Sequence, residues 1–416
     1  MRAAAWSTNR DLGAARVSWE RARQIADKLP TDYAMRIAPR TMLCATAWRG
    51  DYLGISHRVD ELRELCAAAG DKASLAIGMV GLASEHMLYG RVRDASRLFA
   101  EQTALVESIG DSTLIVGLTA VAAAVNVANG ELADLLRRSQ RVIELADGDP
   151  TKGNFMLGSP LGCALVARGI ARWWLGLSGW RDDLASGVEL ARSADAATYA
   201  TVVAWKYGFA IGTGVLIADD NAVSDIEEAL RIAEGSGDDT ALGMAKFALA
   251  VALEHRDSAA DRQRALELLE QVRDMCLHQR FYSSEIPAID LWVARESARR
   301  GDRDGAIPSM RQALDDMFNA GQLGNWANAS ALLSETLLER GGVNDVAEAE
   351  AAIDRLAAIS ADHGWAISEV WLLRVRALLA RAQGDETAYR DYRDRYRDMV
   401  KRLASKGISG PRGCHD

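Results

Sequence analysis

Apolar and polar residues alternate along this chain with the period of a helix. Between successive polar turns lie segments of about 16 to 20 residues, too long for strands and of the right length for helices. Within many of them a largely apolar stripe occupies positions 0, +4 and +7: Ala95-Phe99-Gln102, Leu184-Val188-Ala191, Ala222-Ile226-Ala229, Ala265-Leu269-Val272, Ala306-Met310-Ala313 and Ala349-Ile353-Leu356. Residues so spaced share one face of a helix. The small residues let a neighbouring helix approach, and the bulky one fills the groove between them.

The turns recur. One series passes Gly50-Asp51, Gly90-Arg91, Gly130-Glu131, Gly179, Asp219-Asp220, Asp257, Gly301-Asp302, Gly341-Gly342 and Gly384-Asp385, at intervals of 38 to 49 residues. A second series, out of phase, passes Pro30, Gly70-Asp71, Gly110-Asp111, Gly148-Asp149, Asp195, Gly237-Asp238, Arg280, Gly321 and Gly364. Two interleaved series of one period define a two-helix unit repeated along most of the chain. Glycine past the last helical residue closes one helix, and the Asp that follows caps the next. The predicted fold is all-α, a right-handed superhelix of about ten antiparallel helix pairs with a period of about 40 residues. It spans residues 1–406, ahead of an irregular tail at 407–416. The longest interval, Gly130 to Gly179, holds an insertion at 147–160, a candidate break in the array and a predicted loop on its binding face.

The stripes resemble the second helix of the tetratricopeptide repeat, best at Ala15-Trp19-Ala22 closed by Pro30, although the unit exceeds the roughly 34-residue standard. Three stretches, Ala3-Ala4-Ala5-Trp6 through Pro30, Arg168 to Trp180 and the closing helix Tyr389 to Leu403, carry a further resemblance. They are similar to the C-terminal helical-repeat regions of actinobacterial cyclase/ATPase regulators of the MalT/LuxR type. That resemblance implies a sensing or regulatory arm. The catalytic and nucleotide-binding domains of that family have no counterpart in this sequence, so its activity is not carried over.

Charge and composition narrow the function. Lys and Arg number 49 against 58 Asp and Glu, a net charge of −9 that offers no field for nucleic acid. The closing helix mixes Arg390, Asp391, Arg393, Asp394, Arg395, Arg397 and Asp398 over a Tyr389-Tyr392-Tyr396-Met399 face, the pattern of a solvated surface. Five cysteines, an odd number, argue against a disulfide framework and for a reducing, cytoplasmic setting. Cys44, Cys66 and Cys163 read as small buried hydrophobes. The N-terminus lacks an apolar signal core, because Asn9, Arg10 and Asp11 arrive early. The uncharged stretch Thr113 to Asn129 is alanine-rich and is expected to fall short of the about 20 apolar residues of a membrane span. It is predicted to be a buried helix.

Motifs for chemistry are missing. No lysine precedes Ser or Thr in a Gly-rich turn, and Gly208, Gly212 and Gly214 read as close packing inside a helix. No Gly-x-Ser-x-Gly elbow occurs. The six histidines are scattered, the Cys276 and His278 side chains diverge on a helix, and Cys414-His415-Asp416 lies in the tail. No metal or cofactor is therefore expected. Paired acids such as Asp182-Asp183, Asp219-Asp220, Asp238-Asp239 and Asp315-Asp316 are expected as helix caps. Their alternative is a helical-toroid glycosidase with acids facing a central cavity.

Tryptophan stands out, with 11 against 6 Phe. First helices of such repeats line the concave side, and tryptophan is favoured at binding hot spots. The candidate groove residues are Lys152, Trp173, Trp174, Trp180, Trp205, Lys206, Trp292, Trp326 and Trp371. The expected function is a non-enzymatic binding or scaffold module, taking a protein partner or small effector within cyclase/ATPase-type signalling. A toroid enzyme and a purely structural oligomerisation arm are the alternatives. Counting back one period from Gly50 makes residues 12–29 a second helix whose first helix is cut short. Trp6 and Trp19 would then be partly uncovered and the chain prone to self-association there.

Overall fold

The structure, a computed structural model, describes residues 12–29, 32–47, 54–278 and 280–405, and shows no strand among them. Trp6, Pro30, the Gly50-Asp51 turn and the tail at 407–416 lie outside the described residues. The first helices of the pairs are Tyr33–Ala45, Lys72–Leu88, Ser112–Thr119 continued by Ala123–Asn129, Pro160–Trp174, Ala196–Ala204, Asp239–Glu254, Ile286–Arg299, Leu323–Arg340 and Ala366–Ala382. The second helices are Leu12–Ala26, Ile55–Ala69, Val92–Ile109, Leu132–Ala146, Trp180–Arg192, Asp220–Ser236, Ala259–Leu277, Arg303–Ala320, Asp345–His363 and Glu386–Ser405. The chain is an all-α solenoid of antiparallel helix pairs.

Both turn series punctuate it as the pattern predicts. Gly70, Gly110, Gly237, Gly321 and Gly364 are left-handed C-caps. Asp71, Asp111, Asp195, Asp219, Asp238 and Asp302 each accept a backbone N–H of the helix they open. The six stripes from Ala95 to Leu356 are buried, Gln102 included, whereas in Ala15-Trp19-Ala22 the first two are half-buried, with Trp19 partly uncovered as expected, and Ala22 is exposed. That glutamine is tolerated because its Nε2 donates to the Ala76 carbonyl at 2.6 Å, which pairs the buried amide N–H. Asp315 and Asp316 sit inside Arg303–Ala320 rather than at its start, and Asp183 departs from the capping expectation as well. It is buried and takes Arg168 at 2.6 Å and Arg172 at 2.7 Å from the preceding helix.

Arginine staples hold successive pairs together. Arg256 reaches Asp261 at 2.7 Å and Asp220 at 2.8 Å, and Arg340 reaches Asp345 at 2.6 Å and Asp304 at 3.1 Å. Both therefore bridge the residue five places ahead and the residue 36 places behind. On the outer side, second helices are laced by Arg192–Glu228, Arg264–Glu227 and Arg311–Glu348.

The array does not stay one-dimensional. An open solenoid touches only its sequence neighbours, whereas here late repeats fold back on early ones. The Ser283 hydroxyl donates to the Leu88 carbonyl, and Arg93 to the Phe318 carbonyl at 3.0 Å. Trp365 Nε1 donates to Gly130 O at 3.1 Å and Trp371 Nε1 to Thr213 O at 3.2 Å. A Cβ on Gly324 would stand 2.3 Å from the Val127 carbonyl oxygen, which marks the closest crossing of these distant helices. One apolar cluster consequently runs from Ala120 to Tyr396, while the earliest repeats keep smaller cores of their own.

Ser112–Asn129 is, among the described residues, a helical stretch long and apolar enough to cross a membrane, which corrects the expected shortfall. It is nonetheless 67% buried inside the fold, because the neighbouring and the returning repeats both cover it. The four described cysteines are free and buried, and burial pushes their thiols up to about 12, so they act as hydrophobes.

Candidate functional site

Closure of the array leaves space at its centre. A partly enclosed cavity of about 190 Å³ lies between the first helices of seven repeats, from Ser84 and Met87 to Gly324 and Asn328. Two irregularities face it. The helix from Ser112 breaks into a 3-10 turn at Ala120–Ala122, and the helix from Ala196 passes into a π-helix at Trp205–Phe209. Ala120, Val121, Trp205, Gly208 and Phe209 from these two segments all line the space. π-Helical turns carry a cost in packing and hydrogen-bond geometry and concentrate at functional sites.

Gly208 and Gly212 face the same space. A Cβ on either would find its nearest neighbour at 3.6–3.7 Å, ordinary contact, so close helix packing is not what they serve. Gly214 lies outside the helix, in a turn with φ of 78°. The insertion contributes as well: Met156 and Leu157 reach the cavity wall, while Gly153 and Phe155 pack on Gly117. The loop therefore folds inward and seals rather than projects.

The candidate groove residues divide. Trp174, Trp205 and Trp292 line the cavity. Trp173 and Trp180 do not; both are wholly buried and meet edge to face at 6.0 Å between the helices of one pair. Trp371 is buried beside the wall, edge to face with Trp174 at 5.7 Å, and Trp365 meets Trp174 at 5.3 Å. These indoles form a clasp between the Pro160–Trp174 helix and the Ala366–Ala382 helix, which accounts for much of the tryptophan excess. Trp326 is buried against Phe318, with Arg355 over both rings. Neither lysine reaches the cavity. Lys152 donates to the Leu145 carbonyl at 2.7 Å, where it closes a helix. Lys206 sits over the Tyr207 ring 3.9 Å from Asp225, and burial lowers its pKa.

Polar character on the wall is sparse: Ser84, Thr201, Thr213, Thr240, Asn325, Asn328, the Tyr282 hydroxyl and one carboxylate, Glu285. Asn328 is already engaged, donating to Gly212 O at 2.9 Å. Glu285 ends the 3-10 turn Ser283–Glu285, is half-buried and lines the cavity. Burial alone pushes that carboxyl up from the ordinary 4.5 to about 7. No cation among the described residues pulls it back.

Beside the cavity, behind Trp292, lies a contrasting cluster. Glu254 is buried and takes Arg295 at 3.2 Å and Arg299 at 2.8 Å. Burial raises its carboxyl and the two arginines oppose that. His255 lies edge to face with Trp292 at 5.1 Å, and its Nδ1 donates to the Val251 carbonyl. Burial lowers its pKa to about 3, so the ring is neutral and its Nε2 accepts from Arg295.

No protein-family model matches this chain. No curated protein matches it either. Among solved structures, a Rap protein complexed with Competence and Sporulation Factor is similar at a TM-score of 0.50 and 10% identity, over 88% of this chain and 99% of that one. A circular tandem repeat protein with novel repeat topology matches over 95% of this chain and 90% of that one at 16% identity. Its TM-score is 0.16, so it adds no argument. The Rap likeness shows the helical-repeat fold and nothing finer.

Proposed function

We propose that this chain is a non-enzymatic helical-repeat binding module whose central cavity receives a small, largely apolar effector or a short segment of a protein partner. The observation that carries this reading is the cavity itself. Helices over 200 residues apart are clasped around it by backbone-directed bonds such as Trp365 to Gly130, 235 residues apart, yet the enclosed space is left unfilled. Interiors are otherwise close-packed, and a concave, mostly apolar wall with a few polar groups is the usual form of a ligand site.

Two further points support it. Glycosidase chemistry needs two carboxylates roughly 5–10 Å apart, and the wall carries one, Glu285. An oligomerisation arm has no use for an internal chamber. The Rap protein, of similar fold, is complexed with Competence and Sporulation Factor, so a helical array of this kind can hold a partner. The sequence resemblance extends the proposal to a regulatory arm for cyclase/ATPase-type signalling.

The test fills the cavity from its own wall. Naphthalene, a neutral apolar probe small enough for the space, should bind the native chain in ligand-observed NMR. Gly208→Met, which adds a long side chain at the cavity wall, should abolish that binding while preserving the helical circular dichroism. Unchanged naphthalene binding in a folded Gly208→Met chain would overturn the proposal.

A further inference from the structure

The wall of the cavity holds one charge that nothing in the fold answers. Elsewhere, deeply buried carboxylates have cations: Asp183 has Arg168 and Arg172, Glu254 has Arg295 and Arg299, Glu296 has Arg262 and Arg300, and Asp345 has Arg340. The Glu285 side chain makes no hydrogen bond or ion pair with any described residue. No lysine, arginine or histidine lines the space it opens on.

Its placement is nonetheless fixed. The turn that carries it is held from two sides, by the Ser283 hydroxyl on the Leu88 carbonyl and by Gln322 Nε2 on the Ser284 carbonyl at 2.8 Å. The clamp therefore holds the backbone that carries Glu285 at the cavity wall. An ionised carboxylate in apolar surroundings is costly unless paired, and an array built around many arginines had ready means to pair it.

We infer that Glu285 is the anchor for a single cationic nitrogen on an otherwise apolar ligand, an alkyl- or aryl-ammonium group that enters the central cavity. The inference rests on the binding reading above and specifies its chemistry. The aromatic wall suits the same ligand. Trp174, Trp205, Phe209, Phe247 and Trp292 share the lining, and ring faces attract cations as well as apolar bodies. Size agrees too. Roughly 150 Å³ suffices for benzene, so 190 Å³ with a partly open side admits a phenyl ring and a short aminoalkyl arm. The raised carboxyl is consistent with this role: an arriving ammonium would hold it ionised in place of the missing internal cation. Ammonium of this kind occurs on free amines and at peptide N-termini, and the two sources share the chemistry that Glu285 reads.

The experiment compares 2-phenylethylammonium with 2-phenylethanol, which has the same body and no charge, by ligand-observed NMR on the full chain at pH 8. The ammonium should bind about tenfold more tightly or better, the usual gain from a charge-assisted hydrogen bond. Glu285→Gln should reduce that preference to about twofold or less. Phenylalaninamide against its N-acetyl form is the peptide arm, and a preference confined to it would assign the ammonium to a chain terminus. Equal binding of amine and alcohol to the native chain would overturn the inference while sparing the cavity reading. Binding of neither would remove both. The native-chain comparison decides the matter even if Glu285→Gln fails to fold.

Discussion

Glu254 and Glu285 lie on consecutive first-helix regions of the same array and meet opposite treatment. Glu254, at the end of Asp239–Glu254, is met by two arginines from the next repeat, and a neutral His255 fills the remaining space. Glu285, at the start of the next unit, is half-buried at the cavity wall and pairs with no cation among the described residues. Burying a charge for structure requires that its partner be supplied by the chain, since an unpaired buried ion is costly. A charge left unpaired beside an open cavity is instead paired from outside. The difference separates the charges that join repeats from the one that faces a ligand.

The strongest way to break this contrast is to remove the paired member. Glu254→Ala should strand Arg295 and Arg299 and lower unfolding stability by about 3–5 kcal/mol, read by urea denaturation. A loss below about 1 kcal/mol would mean that the cluster is solvated and the contrast false.

Removing the unpaired member should act in the other direction. Between the ordinary carboxylate value of 4.5 and about 7, the folded chain holds a proton on Glu285 that the unfolded chain has lost. Stability therefore falls as pH rises through that window and is level above it. Glu285→Gln escapes the penalty. It should match the native chain at pH 4.5 and exceed it by about 1–3 kcal/mol at pH 8. A variant less stable than the native chain at pH 8 would give Glu285 a structural role.

A smaller effect concerns the clasp that encloses the cavity. Trp365→Phe keeps most of the ring against Trp174 but leaves the Gly130 carbonyl without its donor. It should cost about 1 kcal/mol and speed hydrogen exchange where the Ala123–Asn129 helix meets the late repeats. Slower or unchanged exchange there would show that closure does not depend on the indole. Least affected should be the outer lacing. Arg311→Ala removes a half-exposed pair with Glu348 and should change stability by no more than about 0.5–1 kcal/mol.

Much of this architecture is legible along the chain because its determinants are local. A left-handed cap at Gly70 or Gly110, an Asp accepting N–H groups two or three residues on, and stripes such as Ala306-Met310-Ala313 all act within one or two helical turns. First-helix placement of Trp205, Trp292, Trp326 and Trp371 follows from the same phase. Which tryptophans meet the cavity does not follow, because that depends on closure. Trp365 finds Gly130 across 235 residues, and no period in the sequence marks that meeting. Glu285 is hidden for a similar reason. In Ser283-Ser284-Glu285 it reads as an ordinary helix-start acid, one of 58 acidic residues, and only the wall formed by six other repeats makes it singular. The staples at +5 and −36 from Arg256 and Arg340 follow the period and are legible in the sequence as charges at fixed spacings.

The contrast between the two carboxylates is tested most directly on Glu285 itself. Carboxyl ¹³C NMR of glutamate-labelled protein, with the resonance assigned by its loss in Glu285→Gln, gives the pKa of this group in the empty and the amine-saturated chain. The account predicts about 7 when empty and a fall toward or below the ordinary carboxylate range at saturation with 2-phenylethylammonium. An ordinary value in the empty chain, or a value that saturation leaves unmoved, would contradict it.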